Sequence, residues 1–262
     1  MANTGNAGID AATLQAAMVQ FQALLAQNEQ LLNDLNVYPV PDSDTGSNTL
    51  HTLKAGIANT VGHASEVSEY ATALATGAAK SALGNSGVIL AQYLQGFAQG
   101  LAQTETPDQC SPSEWQQALE QAAVVARESV LTPAEGTMLT IADAAANVPA
   151  QSDFQKYYQA VQIAVRAAVI ETQNLLPELV AAEVVDSGAL ALSFFHDSVA
   201  SSFGVTISPL QIKPRKLVAT SYSGPAFELM FSVICSQVIK EDIESKIASL
   251  GESIAISGVE PD

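Results

Sequence analysis

The sequence DSDTGSN, at residues 42–48, places two aspartates and a glycine directly before an apolar segment with helical character. Three further polar loops that contain glycine open similar alanine-rich segments: GNSG at 84–87, EGT at 135–137 and DSG at 186–188. Glycine and small hydroxyl or amide residues at a helix start leave backbone N–H groups available to an anion. Four such loops, with a carboxylate pair on the first, predict a site for phosphate and a metal ion.

The composition restricts the classes of partner. Of the 262 residues, 48% are hydrophobic and only 14% are charged, which favours packed helices over disorder. The net charge of −17, with ten Lys and Arg in total, argues against binding nucleic acid or anionic lipid. A bound phosphate would have to be neutralised mainly by metal ions and backbone dipoles.

Two sequence features bear on the cellular compartment. The cysteines, Cys110 and Cys235, lack metal-ligand or CxxC spacing and are expected to be free thiols. The sequence shows neither a signal-peptide pattern nor an apolar run of membrane-spanning length. We therefore expect a cytoplasmic protein without membrane insertion.

Hydrophobic periodicity predicts eight helices. The first runs from Asp10, its expected cap, to Asn33, and the others cover 48–61, 66–81, 87–102, 112–130, 137–147, 153–175 and 187–203. Capping boxes are predicted at Ser111 with Glu114 and at Ser152 with Gln155. Short connections favour an antiparallel up-and-down arrangement. In such an arrangement every even-numbered helix starts at the same end, so the four loops are expected to converge there.

The chain is expected to divide into three parts. Residues 1–9 form a frayed N-terminus and residues 10–208 form the helical domain. Residues 209–262 carry a short β/β/α/β pattern, with strands near 213–222, 227–235 and 253–259 and a helix at 241–250. We expect this third part to be the start of a truncated α+β domain.

The carboxylates of Asp42 and Asp44 are the strongest candidates for metal ligands. Hard divalent cations prefer oxygen ligands, and magnesium is often held by one or two carboxylates plus substrate phosphates. The alternative is an ordinary surface turn with a helix cap, since Asp, Ser and Gly are common turn residues. The three other loops at the same end favour the metal site.

Each remaining candidate has a structural alternative. The segments 45–48 and 85–86 offer donors to phosphate, or are plain helix caps. Met138 is either an apolar floor for a planar base or a core residue. Asp186 either binds a ribose hydroxyl or a metal-bound water, or it is the N-cap of the last helix. The sequence has no Walker-type loop or kinase-type glycine loop, which disfavours the common nucleotide folds.

These motifs resemble the L-domain (DhaL-type) family of dihydroxyacetone kinases, and most closely the N-terminal ATP-binding domain of bacterial fatty acid kinases. The resemblance covers about residues 10–205 and rests on LNVYPVPDSDTGSN at 35–48, GNSGVIL at 84–90, EGTMLT at 135–140 and VVDSGA at 184–189. It implies an eight-helix antiparallel barrel that binds ATP or ADP at one mouth, with two Mg²⁺ ions between the phosphates and aspartates.

The resemblance also implies roles for individual residues. Asp42 and Asp44 would be the catalytic metal ligands, and Asn36 is the nearest counterpart of a third aspartate found in the dihydroxyacetone branch. The phosphates would be held by Thr45, Gly46, Ser47, Asn48, Asn85 and Ser86. The rest of the nucleotide pocket would be lined by Met138, Asp186, Ser187 and Gly188.

The sequence departs from the family pattern at two further places. Ser43 replaces a common glycine, and Leu83 stands where the fatty acid kinase branch usually carries arginine. Loss of that cation is expected to lower activity or alter substrate handling. The segment after Lys213 resembles the beginning of the middle domain of longer fatty acid kinases, so the chain is expected to be a truncated product or a fragment.

The expected function is phosphoryl transfer from Mg-ATP to an acceptor on a separate protein. In the fatty acid kinase branch this partner is a fatty-acid-binding subunit and the product is an acyl phosphate. The alternatives are an L-type subunit that works with a dihydroxyacetone-binding subunit, or a non-catalytic nucleotide-binding or regulatory protein. The sequence leaves a homodimer open.

Overall fold

The computed structural model describes residues 8–62, 66–105 and 108–212, together with positions 229, 242–243, 245–247 and 254–256. These residues are mainly helical, which confirms the predicted fold class. The helices within the described residues are α1 (Ala11–Leu35), α2 (Thr45–Asn59), α3 (Val67–Lys80), α4 (Gly84–Leu101), α5 (Pro112–Glu128), α6 (Met138–Ala146), α7 (Phe154–Thr172), α8 (Pro177–Ala182) and α9 (Ser187–Ser202). None of the helices in this part of the chain is long and apolar enough to cross a membrane.

The long helices form a closed antiparallel barrel. Each of α1 to α7 packs against the next, and α9 packs against both α7 and α1. Contacts between α9 and α1 run in opposite chain directions: Phe195 meets Phe21, whereas Ser187 at the start of α9 reaches Leu32 near the end of α1. The starts of α2, α4, α6 and α9 consequently lie at one end of the barrel.

The barrel interior is filled by aromatic side chains in edge-to-face contact. Phe195 on α9 contacts Phe21, Tyr93 and Phe97, with ring centroids 5.8–5.9 Å apart. Trp115 on α5 packs against Phe97 with the centroids 4.8 Å apart. Such pairs add specific geometry to the hydrophobic burial that holds the ring of helices closed.

Local sequence signals placed most helix ends to within two residues. Asp10 caps α1 by accepting the Thr13 N–H at 2.7 Å, and the Ser111 and Glu114 capping box is present at α5. The predicted box at Ser152 was wrong, because Asp153 is the N-cap of α7 and accepts from Lys156 N–H.

Two other helix predictions differ from the structure. The starts of α2 and α4 were placed three residues late, at 48 and 87, because their glycines were assigned to loops. The segment between α7 and α9 contains a short helix, α8, with Pro177 in its first turn. Because α8 lies within a connection, α9 still occupies the eighth position in the barrel.

The described residues extend slightly beyond the predicted helical domain. Ile9, assigned to the frayed N-terminus, is buried and pairs with Cys110 through two backbone hydrogen bonds of 2.8 and 2.9 Å. Residues 254–256 pair with 129–131 around an antiparallel Val130–Ala255 bridge. The rest of the predicted β/β/α/β pattern falls almost wholly outside the described residues, and the boundary at 208/209 stays a prediction.

Candidate functional site

The four glycine loops lie together at one mouth of the barrel. Ser187 Oγ donates a hydrogen bond to the carbonyl of Leu32, 2.5 Å away, and joins the fourth loop to α1. A Cβ placed on Gly188 would lie 3.4 Å from Met138 Cε, which joins the fourth loop to the third. A Cβ placed on Gly87 would lie 3.4 Å from the carbonyl oxygen of Asn48, which joins the second loop to the first. The predicted convergence is therefore present.

The first loop brings the carboxyl groups of Asp42 and Asp44 within hydrogen-bonding reach of each other. Burial is the largest cause of a raised pKa at Asp44, and the charge of Asp42 raises it further. A hydrogen bond from the Asn48 side chain acts in the opposite direction. Two facing carboxylates of this kind repel each other, and a divalent cation between them would remove the repulsion.

Asn36 is buried behind this pair. Its Nδ2 donates to Asp42 Oδ1 at 2.7 Å. This hydrogen bond orients the Asp42 carboxylate. Within the described residues no group of three or more His, Cys, Asp or Glu side chains could hold a metal. Two carboxylates nevertheless fit the way in which Mg²⁺ is usually bound beside substrate phosphates.

Ser43 lies between the two aspartates in the left-handed region, with φ at +61°. Residues with a Cβ rarely adopt this conformation, whereas glycine adopts it easily. The geometry at this position therefore suits glycine better than the serine that the chain carries. This residue of positive φ stands between two aspartates whose side chains interact with each other.

The start of α2 is capped from α1. The N–H groups of Gly46 and Ser47 donate to Asn33 Oδ1 at 2.8 and 3.2 Å, and Ser47 Oγ donates to Glu29 Oε1 at 2.8 Å. A Cβ on Gly46 would lie 2.4 Å from the carbonyl oxygen of Glu29. Gly46 thus permits close packing of α2 on α1, and the two predicted phosphate donors have partners within the protein. Thr45 is buried in the same turn.

The start of α4 differs from the start of α2 in having an apolar N-cap residue. Gly84 takes a φ of +58°, and the N-cap residue, Leu83, makes no capping hydrogen bond because its side chain is apolar. Asn85 and Ser86 form the rest of the first turn and are half-buried. A helix start that combines glycine with short polar side chains is typical of anion-binding sites.

The side chain of Arg127 connects the third loop to α5 and α6. Arg127, at the end of α5, forms an ion pair with Glu135 at 3.0 Å and another with Asp143 on α6. Thr140 Oγ1 accepts the Gly136 N–H and donates to Glu135. This network fixes the start of α6. It also pairs the positive charge of Arg127, which lies near the mouth, with two carboxylates.

Met138 and Asp186 are both largely buried. Met138 packs against Gly188, a position that suits either the predicted pocket floor or a core residue. Asp186 is the N-cap of α9 and accepts the Ala189 N–H at 2.6 Å, as the structural alternative predicted. Burial raises the pKa of the Asp186 carboxyl to about 7, although hydrogen bonds from the Ala189 and Gly188 N–H groups oppose the shift.

Three residues of this site were missed in the sequence: Glu29, Asn33 and Arg127. Glu29 and Asn33 lie four residues apart on one face of α1. The available signal was weak, because α1 carries several other polar residues and only the spacing of four marks this pair as neighbours. The signal for Arg127 was weaker, since its partners are 8 and 16 residues further along the chain.

Comparison with known proteins identifies the family. The DAK2 domain matches residues 39–201, a range that includes all four loops. Protein YloV of Bacillus subtilis is 32% identical over 227 residues, which cover 84% of this chain and 39% of that protein. The uncharacterized protein MG369 of Mycoplasma genitalium is 34% identical over 210 residues, which cover 73% of this chain and 38% of that protein.

A solved structure shares the fold. The dihydroxyacetone kinase of C. freundii superposes with a TM-score of 0.55 at 19% identity, over 77% of this chain and 36% of that one. The chain spans about two fifths of the length of the relatives named above, which are covered to 38–39%. The matched range, the four converging loops and the closed helical barrel agree, and the chain belongs to the DAK2 domain family.

Proposed function

We propose that this chain binds Mg-ATP or Mg-ADP at the mouth of the barrel and is the donor-binding module of a phosphotransferase. The observation that carries the proposal is the facing pair of Asp42 and Asp44 at the convergence of four helix starts. In kinase sites of this kind the chemistry depends mainly on positioning and on charge neutralisation by divalent cations. The chain's own task is to hold the carboxylates and the phosphates in place.

Within this proposal the residues divide by position. Asp42 and Asp44 hold two Mg²⁺ ions. Asn36 supports the Asp42 carboxylate. The first turn of α4, with Asn85 and Ser86, supplies phosphate donors. The start of α2 adds Thr45, Gly46, Ser47 and Asn48, of which Gly46 and Ser47 also anchor the loop to α1. The nucleoside contacts Met138, Asp186, Ser187 and Gly188.

The charge of the site supports a dependence on magnesium. Arg127 is paired with Glu135 and Asp143, and Leu83 supplies no charge at the start of α4. A triphosphate would meet Asp42, Asp44 and a protein of net charge −17. Without a divalent cation this electrostatic balance disfavours binding.

Calorimetric titration with ADP, in Mg²⁺ and in chelator, tests the proposal. We expect binding only with Mg²⁺, and loss of binding in the double variant Asp42→Asn, Asp44→Asn. Asp153→Asn makes the same exchange at the N-cap of α7, at the other end of the barrel, and should leave binding unchanged. Equal affinity in Mg²⁺ and in chelator would refute the metal role of the two aspartates.

For the acceptor we propose a fatty acyl carboxylate presented by a separate lipid-binding protein. The proposal rests on the resemblance of the motifs to fatty acid kinases and on relatives more than twice as long as the matched region. The alternative acceptor is dihydroxyacetone, after which the structurally similar kinase of C. freundii is named. A non-catalytic nucleotide-binding role is favoured by the uncharged Leu83.

A turnover assay separates these alternatives. We expect the chain alone to show little kinase activity toward free fatty acid or free dihydroxyacetone, even when it binds Mg-ATP. Acyl phosphate formed only when a fatty-acid-loaded binding protein is added supports the first acceptor. Rapid turnover of either free acceptor by the chain alone would show that a partner is not needed.

A further inference from the structure

The N-cap position of α2 is occupied by a residue that does not cap. Asp44 precedes the helix, but its side chain makes no capping hydrogen bond to a backbone N–H of the first turn. Aspartate is among the most favourable N-cap residues because its carboxylate accepts N–H groups at the second or third helical position. In this helix those two N–H groups belong to Gly46 and Ser47, and both donate to Asn33 Oδ1.

The side chain of Asn33 is held in place for this task. Its Nδ2 donates to Ser47 Oγ at 3.1 Å, and Ser47 Oγ in turn donates to Glu29 Oε1. The close approach of Gly46 to the backbone of α1 brings the first turn of α2 within reach of Asn33. The cap of α2 is therefore supplied by another helix.

From this geometry we propose that Asn33 is a positioning residue that replaces Asp44 as the cap of α2 and so keeps the Asp44 carboxylate beside Asp42. The inference rests on the proposed metal role of the two aspartates. If Asn33 did not accept the Gly46 and Ser47 N–H groups, the nearest residue suited to cap them would be Asp44 itself. A carboxylate oxygen that accepts the N–H groups of its own helix is not available to the cation.

The proposal predicts an unusual result for Asn33→Ala. Because Asp44 can take over the cap, the variant should unfold at nearly the same temperature as the wild type. Its affinity for ADP in Mg²⁺ should nevertheless fall by about fivefold or more, the size of one lost cap expressed as an affinity. A purely structural role for Asn33 would give the reverse, a lower unfolding temperature with unchanged affinity.

Two further variants complete the test. Asn33→Asp keeps an acceptor for both N–H groups and should restore most of the affinity. Asn28→Ala removes an asparagine five residues earlier on α1 whose Nδ2 donates to the carbonyl of Leu24, and it should bind like the wild type. Calorimetry with ADP in Mg²⁺ measures all four proteins, and thermal unfolding in chelator measures their stability.

Each outcome decides the matter. Weak binding by Asn33→Ala alone, with recovery in Asn33→Asp, supports the positioning role. Wild-type affinity in Asn33→Ala, or equal weakening in Asn33→Ala and Asn33→Asp, overturns it while the proposed function stands. Absence of Mg²⁺-dependent binding in the wild type overturns the proposed function and the inference together.

Discussion

At the scale of single residues, Asp186 shows how burial changes the chemistry of a helix cap. Its carboxyl caps α9 while 6% exposed, and burial raises its pKa from 3.8 to about 7. A raised pKa in the folded state means that the protonated form is the one favoured by folding. The contribution of this group to stability is therefore present below about pH 3.8 and is lost as the pH rises through 7.

Asp186→Asn should remove this pH dependence, because asparagine caps equally well and does not ionise. We expect the variant to gain stability relative to the wild type as the pH rises from 4 to 7, by on the order of 3–4 kcal/mol at most. Urea unfolding of both proteins across this range measures the difference. Asp153→Asn, at the half-exposed cap of α7, controls for the exchange itself. Parallel pH profiles for the wild type and Asp186→Asn would contradict the expectation.

At the scale of elements, the start of α2 depends on close contact with α1. Gly46 and Gly188 are each the second residue of a helix, but their surroundings differ. A Cβ on Gly46 would lie 2.4 Å from a backbone oxygen of α1. A Cβ on Gly188 would find nothing closer than 3.3 Å.

Gly46→Ala is therefore expected to destabilise the fold by about 1–3 kcal/mol, since the backbone of α1 cannot move aside cheaply. Gly188→Ala should cost less, because alanine favours helix and its nearest apolar neighbour is the flexible end of Met138. The free energy of unfolding in urea compares the two variants. A larger loss of unfolding free energy in Gly188→Ala than in Gly46→Ala would show that α1 and α2 are not in tight contact at Gly46.

At the scale of the whole molecule, α9 closes the barrel. It packs on α1 and α7, and its buried Asp197 forms an ion pair with Arg166 on α7 at 2.8 Å. Arg166 also donates to the carbonyl of Ser208, which fastens the segment after α9 to α7. Beyond residue 212, the described contacts with the barrel are those of 254–256 with 129–131.

A fragment of residues 8–212 should accordingly fold by itself and bind Mg-ADP like the full chain. A fragment of residues 8–185, which lacks α9, should not fold, because α1 and α7 would each lose an apolar neighbour. Circular dichroism and urea unfolding of the two fragments test this expectation. A non-cooperative transition in the 8–212 fragment would mean that the remaining residues belong to the same folding unit.

The sequence determined the features that depend on neighbours a few residues away. The apolar face of α1, the cap at Asp10 and the capping box at Ser111 follow from periodicity and from hydrogen bonds that span three residues. The alternation of helices and short connections placed the four loops at one end. The residues of those loops were therefore visible in the sequence, together with the mainly helical fold class.

Only the tertiary structure decided which groups meet across the barrel. Asn33 caps a helix 13 residues further on, and Ser187 reaches a carbonyl 155 residues away. The raised pKa of Asp186 depends on burial by several helices. Local patterns specify hydrogen bonds within a turn, because chain geometry fixes those distances. How the helices pack decides which group on another helix a polar side chain meets. The packing also decides how much of its hydration that side chain loses.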